Sequence, residues 1–376
     1  MNPNRKLQVG VLFGGRSGEH EISLRSARTV LSVLDRERYS VTEIAITHEG
    51  TWLVGEQLLD RMAAGLKESD RSQLKQAAIL PDPRQRGIFA IREADQGKIL
   101  EYMSDLDVVF PVLHGTYGED GTVQGLLEMA EIAYVGSGVL GSSLVMDKAA
   151  FRDLMRANNI PQVETLLVLR REIEQSIDGV IVQAEVMAPY PLFVKPANLG
   201  SSVGISKCYN RSDLLEGLQE AARYDRRVLI ERGVRAREIE VSVLGNDDPV
   251  ASVPGEIVPS ADFYSYEAKY IDVRTELLIP APLPFDLAEQ FREIAVRAFR
   301  TADCAGLARA DFLLDKDTGE LFLNELNTLP GFTSISMYPK LWEASGLPIA
   351  QLVDRLIELA LERRAERDRT EWRYRR

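Results

Sequence analysis

Apolar residues along this chain gather in short runs that end in glycine-rich turns, and several of these turns lead into stretches with helical spacing. The first run, Leu7-Gln8-Val9-Gly10-Val11-Leu12-Phe13, has the near-continuous apolar character of a buried strand. Gly14-Gly15-Arg16-Ser17-Gly18-Glu19-His20-Glu21 follows, and the spacing predicts a helix from Ile22 to about Leu34. That order opens an α/β domain with a ligand crevice at the carboxyl end of the strand. The pattern recurs where Val108-Val109-Phe110-Pro111-Val112-Leu113 runs into His114-Gly115-Thr116-Tyr117-Gly118-Glu119-Asp120-Gly121 and a helix through Met129. Ala133-Tyr134-Val135 is a further short strand, and Met146-Asp147-Lys148 opens a helix to about Asn158 with Asp147 as N-cap. A second block holds a strand from Pro191 to Pro196, a loop from Ala197 to Gly204, a helix near Ser212 to Arg223 and the strand Val228-Leu229-Ile230-Glu231. The third block, from about Arg232, ends in an amphipathic helix that begins at Ile349 and fades, from Arg363 to Arg369, into what reads as a solvated tail. Residues 56–98 read as a variable insertion without legible chemistry.

Near the C-terminus, polar alternation carries chemistry. Arg309-Ala310-Asp311-Phe312-Leu313-Leu314-Asp315 and Leu321-Phe322-Leu323-Asn324-Glu325-Leu326-Asn327 flank Asp317-Thr318-Gly319, a three-residue hairpin loop with Gly319 at the left-handed position. A loop that closes Lys316 on Glu320 pairs Asp311 with Glu325 and Arg309 with Asn327, and strand alternation puts all four on one face. Two carboxylates and an amide oxygen beside a guanidinium make an oxygen-rich pocket suited to Mg²⁺ with phosphate ligands. A solvated antiparallel pair shows similar alternation. Against that stands Thr328-Leu329-Pro330-Gly331, a turn that ends the strand and exposes N–H groups beside the carboxylates. The chain reads as a magnesium-nucleotide enzyme.

Length and composition narrow the setting. At 376 residues the chain predicts two or three domains, and its 45% hydrophobic and 27% charged residues are ordinary globular values. No run approaches the roughly 18 to 20 apolar residues that span a bilayer, and no signal-type segment precedes the first strand, so a cytoplasmic protein without a membrane partner is expected. Cys208 and Cys304 lie far apart without metal-type spacing, which fits a reducing compartment. A net charge of −12 argues against nucleic acid as partner. Anionic substrates must be met by local basic residues.

Other motifs leave alternatives open. Gly200-Ser201-Ser202-Val203-Gly204, between two strands, can bring N–H groups and hydroxyls against phosphates, with Lys195 at the end of the preceding strand and Lys148 at a helix start; a plain flexible turn has the same composition. A Walker A pattern is absent, and Gly14-Gly15-Arg16-Ser17-Gly18 departs from the dinucleotide fingerprint. Glu19 can bind an ammonium or simply favour its helix start. His114, after an apolar strand, is a site candidate, whereas His48 reads as a surface turn residue. Phe263-Tyr264-Ser265-Tyr266-Glu267-Ala268-Lys269-Tyr270 is either a packed loop or a lid that excludes water and brings Lys269 to a phosphate.

Taken in order, Gly14-Gly15 through Glu19 and Ser23, His114-Gly115 with Gly118-Glu119-Asp120-Gly121, Met146-Asp147-Lys148, Lys195-Pro196 with the Gly200 to Gly204 loop, Tyr264 to Tyr270, and Arg309 to Ser336 closely resemble the D-alanine:D-alanine ligases, which are ATP-grasp enzymes. The resemblance covers nearly the whole chain apart from residues 56–98 and the tail. It implies an α/β, three-domain ATP-grasp architecture with an N-terminal Rossmann-like (pre-ATP-grasp) domain over 1–143, a central domain over 144–231 and a C-terminal domain over 232–376. It implies ATP and two Mg²⁺ ions, with Mn²⁺ able to substitute, and a homodimer that joins two D-alanines through a D-alanyl phosphate for peptidoglycan synthesis. By the same resemblance Lys148, Lys195 and Lys269 meet phosphates, Ser201 and Ser202 lie in the phosphate-covering loop, and Glu231 and Glu238 take the adenine and ribose sides. Asp311, Glu325 and Asn327 match the metal ligands. Glu19 and His114 match the first D-alanine's site, Tyr270 the lid, Arg309 and Gly331 the oxyanion pocket, and Ser336 with Met337 the second D-alanine's site. A ligase that forms a depsipeptide or another mixed product, a non-catalytic nucleotide-binding regulator and a nicotinamide dehydrogenase are the alternatives; the intact Asp311, Glu325 and Asn327 set counts against the regulator.

Overall fold

The computed structural model describes residues 5–68, 70, 73–200, 203–258 and 276–371. Their strands form three sheets. The first begins with β1 (Leu7–Gly14), helix α1 (His20–Val33) and β2 (Tyr39–Ile46), then β3 (Trp52–Val54), α2 (Leu58–Ala63), β4 (Lys75–Ile79), β5 (Gly87–Ala94) and β6 (Gly97–Asp105), and closes with β7 (Val108–Val112), α3 (Thr122–Met129) and β8 (Ala133–Tyr134). Its order is β6-β5-β4-β3-β2-β1-β7-β8, with β1 parallel to β2 and β7. Residues 56–98 are therefore part of the sheet: β4, β5 and β6 extend it antiparallel to its edge.

Next come α4 (Val139–Met146) and α5 (Lys148–Ala157), followed by β9 (Thr165–Leu169), α6 (Arg170–Met187), β10 (Leu192–Pro196), β11 (Ser206–Cys208), α7 (Arg211–Tyr224) and β12 (Arg227–Arg232). These four strands make an antiparallel sheet in the order β11-β10-β12-β9. As expected, the Asp147 carboxylate caps α5 by accepting from Ala150 N at 2.9 Å. The third sheet contains β13 (Ala236–Gly245), β14 (Val250–Ala251), β15 (Gly255–Val258), β16 (Glu276–Leu278), β17 (Gly306–Asp315) and β18 (Leu321–Asn327), with α8 (Phe285–Thr301) before β17 and α9 (Met337–Ala344) and α10 (Ile349–Arg367) after β18. Phe291, Ala295, Ala298 and Phe299 of α8 pack under Ala308, Ala310, Phe312 and Leu323, which leaves the opposite face of the β17–β18 hairpin to polar side chains.

The last helix corrects the expectation of a solvated tail. Leu352, Val353, Leu356 and Ile357 of α10 enter the same core as Val9, Val11, Phe13 and Phe110 of the first sheet. Arg363 lies 4.1 Å from the centroid of the Tyr134 ring, Arg364 pairs with Glu131 at 3.3 Å, and Arg367 pairs with Glu128 at 2.9 Å. The arginine run fastens the C-terminal helix to the N-terminal sheet.

Candidate active site

Three strands present two cross-strand rows, Glu240 with Asp311 and Glu325, and Ser242 with Arg309 and Asn327. The expected pairs are present, but they arise by another route. Asp315 uses its carboxylate to accept from Asp317 N at 2.8 Å and Thr318 N at 3.3 Å, which starts the turn one residue early. Asp315 N then donates to Glu320 O at 2.9 Å, so the loop comprises residues 316–319, one more than expected, with Gly319 at φ +74. Continued without interruption, that register sets Asp311 against Asn324. A bulge restores the pairing: Phe312 faces Leu323, Asp311 faces Glu325, and Asn324 is the extra residue.

Arg309 grips Asp311 with both ends of its fork, Nε and Nη2 each 2.7 Å from a carboxylate oxygen, while Nε lies 3.0 Å from Glu240 Oε2. Asn327 Nδ2 donates to Asp311 Oδ2 at 2.9 Å. A half-turn of that amide exchanges its nitrogen for its oxygen, and Asp311, Glu325 and Asn327 then offer the hard oxygen donors that Mg²⁺ takes. The residues fit the ion. Glu240 went unread in the sequence, although the Glu238-Ile239-Glu240 alternation places both glutamates on one strand face.

Lys195 and Glu231 are brought together in a buried cluster. Lys195 Nζ is 2.6 Å from Glu231 Oε2, and Arg152 Nε and Nη2 lie 2.9 and 2.7 Å from Oε1. Burial alone would raise the Glu231 carboxyl, but Arg152 and Lys195 outweigh it and hold it at about 2. Arg152, another residue the sequence reading missed, also donates to Leu323 O and so ties the central helix to the hairpin bulge. Lys148 Nζ donates to Leu199 O at 2.7 Å, at the mouth of the Gly200 loop. Ser201, Ser202, Lys269 and Tyr270 lie outside the described residues.

The N-terminal wall is built at the ends of β1 and β7. Gly115 takes φ +71, and a Cβ there would sit 2.8 Å from Glu19 Oε2, so only glycine leaves room for that carboxylate. Glu119, unassigned from sequence, accepts from Gly115 N at 2.7 Å and Leu329 N at 3.2 Å. Burial and the Glu19 charge push its carboxyl up to about 8, against those two amide bonds. His114 has both nitrogens engaged, Nδ1 with Leu329 O at 2.9 Å and Nε2 with Ser26 Oγ at 3.1 Å; burial lowers its pKa despite the nearby Glu19, so the ring is neutral. Beyond β18, Ser336 Oγ accepts from Thr333 N at 2.9 Å, and a Cβ on Gly331 would meet that oxygen at 2.9 Å.

One cavity gathers much of this. Glu19 and His114 line it from the first sheet, Lys148 from α5, Arg309, Glu325 and Asn327 from the hairpin, and Gly331, Ser336 and Met337 from the segment after it. Asp311 is bonded to two of these residues, and Glu238 lies two positions before Glu240 on β13. Among the described residues, His20, Glu21 and His48 also bring ligand atoms within 4.8 Å of one another. There the two imidazole rings stack at 3.8 Å and 25°, so their lone pairs run side by side and do not converge on an ion.

Residues 8–137 match the family described as the D-ala D-ala ligase N-terminus, and residues 154–358 match the D-ala D-ala ligase C-terminus. The D-alanine–D-alanine ligase of Natranaerobius thermophilus is 49% identical over 365 residues, 97% of this chain and 98% of that protein. The structure of the D-alanine-D-alanine ligase from Coxiella burnetii superposes with a TM-score of 0.80 at 36% identity, covering 96% of each chain. That of the VanG D-Ala:D-Ser ligase from Enterococcus faecalis gives 0.83 at 31% identity, over 95% of this chain and 100% of the other. Three successive α/β units around one cavity, with lysines on the central sheet side and a carboxylate hairpin on the third, define an ATP-grasp ligase. Within that class the chain belongs to the D-alanine–D-alanine ligase family.

Proposed function

We propose that the chain joins two D-alanine molecules into D-alanyl-D-alanine, with ATP cleaved to ADP and phosphate, to supply peptidoglycan precursors. The observation that carries this reading is the single cavity that Glu19 shares with Lys148, Arg309 and Gly331. Glu19 holds the ammonium of the first D-alanine, with His114 fixed behind it. The first carboxylate attacks the γ-phosphorus, ADP leaves, and a D-alanyl phosphate forms. Lys148, Lys195 and Lys269 meet the phosphates, Ser201 and Ser202 cover them, and Glu231 and Glu238 lie on the adenine and ribose sides. Mg²⁺ held by Asp311, Glu325 and Asn327 supplies charge neutralisation at the phosphates; two ions and substitution by Mn²⁺ belong to this reading. The second D-alanine, its carboxylate at Ser336 beside Met337, attacks the acyl carbon through its neutral amine. Arg309 and the Gly331 amide hold the oxyanion, phosphate leaves with the C–O electron pair, and the amine proton is lost to solvent or phosphate. Tyr270 and its neighbours exclude water from the acyl phosphate.

The same reading divides the chain at residues 143 and 231, places the protein in the cytoplasm and pairs it as a homodimer. Among the described residues, no helix is long and apolar enough to cross a membrane. The edge strand β6 leaves Ile99, Leu100, Tyr102 and Met103 exposed, which supports a partner along that edge. Phosphate release with Mg-ATP, scanned over D- and L-alanine, D-serine and D-lactate, tests the activity. Release that depends on D-alanine, with the D,D-dipeptide as product, is expected; equal turnover of L-alanine, or none with any of them, overturns the reading.

A further inference from the structure

We propose that Ser26 is a positioning residue for the Gly331 amide, acting on the backbone to either side of it. The inference rests on the reading of Gly331 as an oxyanion donor. Ser26 is fully buried on α1, two turns beyond Glu19. Its Oγ lies 3.1 Å from His114 Nε2 and accepts from Phe332 N at 3.1 Å, while His114 Nδ1 is 2.9 Å from Leu329 O.

The protons in this chain of bonds have one arrangement. A carbonyl oxygen only accepts, so His114 carries its proton on Nδ1 and donates it to Leu329. In the neutral ring Nε2 is then a lone pair, and it takes the Ser26 O–H. The Ser26 oxygen is thereby left to accept the Phe332 N–H. Glu119 adds a bond from Leu329 N, so side chains of the first sheet fasten both ends of the segment from Leu329 to Phe332. Pro330 has no N–H. Among the described residues, the Gly331 amide is the one in this segment that the fastening leaves to the cavity its residue lines.

Helix α1 thus carries, on one rigid element, the Glu19 carboxylate at its start and the hydroxyl that fixes the oxyanion turn. Preorganised donors act on the reaction only where they already point at the developing charge. Loosening the Phe332 end lets the Gly331 amide wander without touching the nucleotide site.

The test uses the full chain. In Ser26→Ala, kcat should fall roughly 10- to 100-fold, the order of effect of a displaced oxyanion donor, with KM for ATP and Kd for ADP unchanged within about twofold. Binding of a phosphinate dipeptide analogue, which mimics the tetrahedral adduct, should weaken by a factor similar to that in kcat/KM. Wild-type kcat in the variant, or equal losses of phosphinate and ADP binding, overturns the proposal. The unmodified protein gives an independent readout: ¹⁵N NMR should show His114 protonated on Nδ1 with a lone pair on Nε2, and the opposite tautomer refutes the relay even if the variant does not fold. An unmodified chain inactive towards D-alanine refutes the ligase reading instead.

Discussion

Glu231 is nearly without solvent, and a carboxylate in that position persists only because two cations neutralise it. Its carboxyl is held below the ordinary 4.5, so the stability it contributes is fully present above that pH and is lost as pH falls towards about 2. Glu119 has the opposite sign: raised to about 8, it withdraws stability as pH rises from 4.5 to 8. Arg152→Leu leaves Glu231 with Lys195 alone, and we expect urea unfolding to show a loss of about 3–5 kcal/mol, with the acid transition moved to higher pH. An unchanged acid midpoint would mean that Arg152 does not hold the charge. At the hairpin, Glu325→Gln removes one charge from the proposed metal set; the Mg²⁺ requirement should rise and turnover fall by about 10²-fold. An unaltered magnesium titration would move the metal elsewhere. Asp311, Glu325 and Arg309 were legible because polar residues alternate along one hairpin, and the count that paired them came out right only because the bulge at Asn324 offsets a loop one residue longer than expected. Arg152 was not, since its partner lies 79 residues away and only tertiary packing joins them.

Elements whose signals are local came through in the sequence, and those set by competing contacts did not. The start of α5 was readable because Asp147 caps it three residues ahead; the hairpin loop was misread because Asp315 begins its own side-chain turn, and a bulge at Asn324 absorbs the difference. Strands β4 to β6 stayed hidden because β6 is exposed on both faces and β5 passes from four buried residues to exposed ones, neither with a period-2 contrast, while β4 is only five residues long. Asp147 also receives Arg227 Nη1 at 2.6 Å, so it fixes both the helix start and its distance from β12. Lys148 is the next residue. Asp147→Ala should therefore cost about 1 kcal/mol or somewhat more and raise KM for ATP several-fold, while Asp147→Asn keeps the cap and recovers most of the stability. Calorimetry with ATP titrations checks both; a stability loss without a change in KM would separate the cap from lysine placement.

Across the whole molecule, the two walls of the cavity answer to different cores. The back of the β17–β18 hairpin rests on α8, whereas Leu329 and Phe332, which flank Gly331, share a core with β1, β7 and α10. The resemblance in motif order implied three α/β domains, and three sheets are present; the amphipathic pattern of α10 told that a face is buried and not against what, and that face meets both the first sheet and Leu244 and Leu307 of the third. Leu356 is fully buried in that shared core. Leu356→Ala should cost about 2–5 kcal/mol through lost burial and a residual cavity, and the relaxation falls on the segment that carries the proposed oxyanion amide and leads to Ser336. The residues proposed for the nucleotide, Lys148, Lys195, Glu231 and Glu238 with the hairpin, belong to the second and third units, which this core reaches only at one end of β13 and β17 through Leu244 and Leu307. KM for D-alanine should then rise by roughly 3- to 10-fold, a loss of about 1 kcal/mol of binding, while Kd for ADP stays within twofold. Steady-state kinetics at a temperature well below the variant's unfolding transition, paired with ADP titration, gives the decision: parallel weakening of D-alanine and ADP would mean that the cavity responds as one body, and the two-core account of the site would fail.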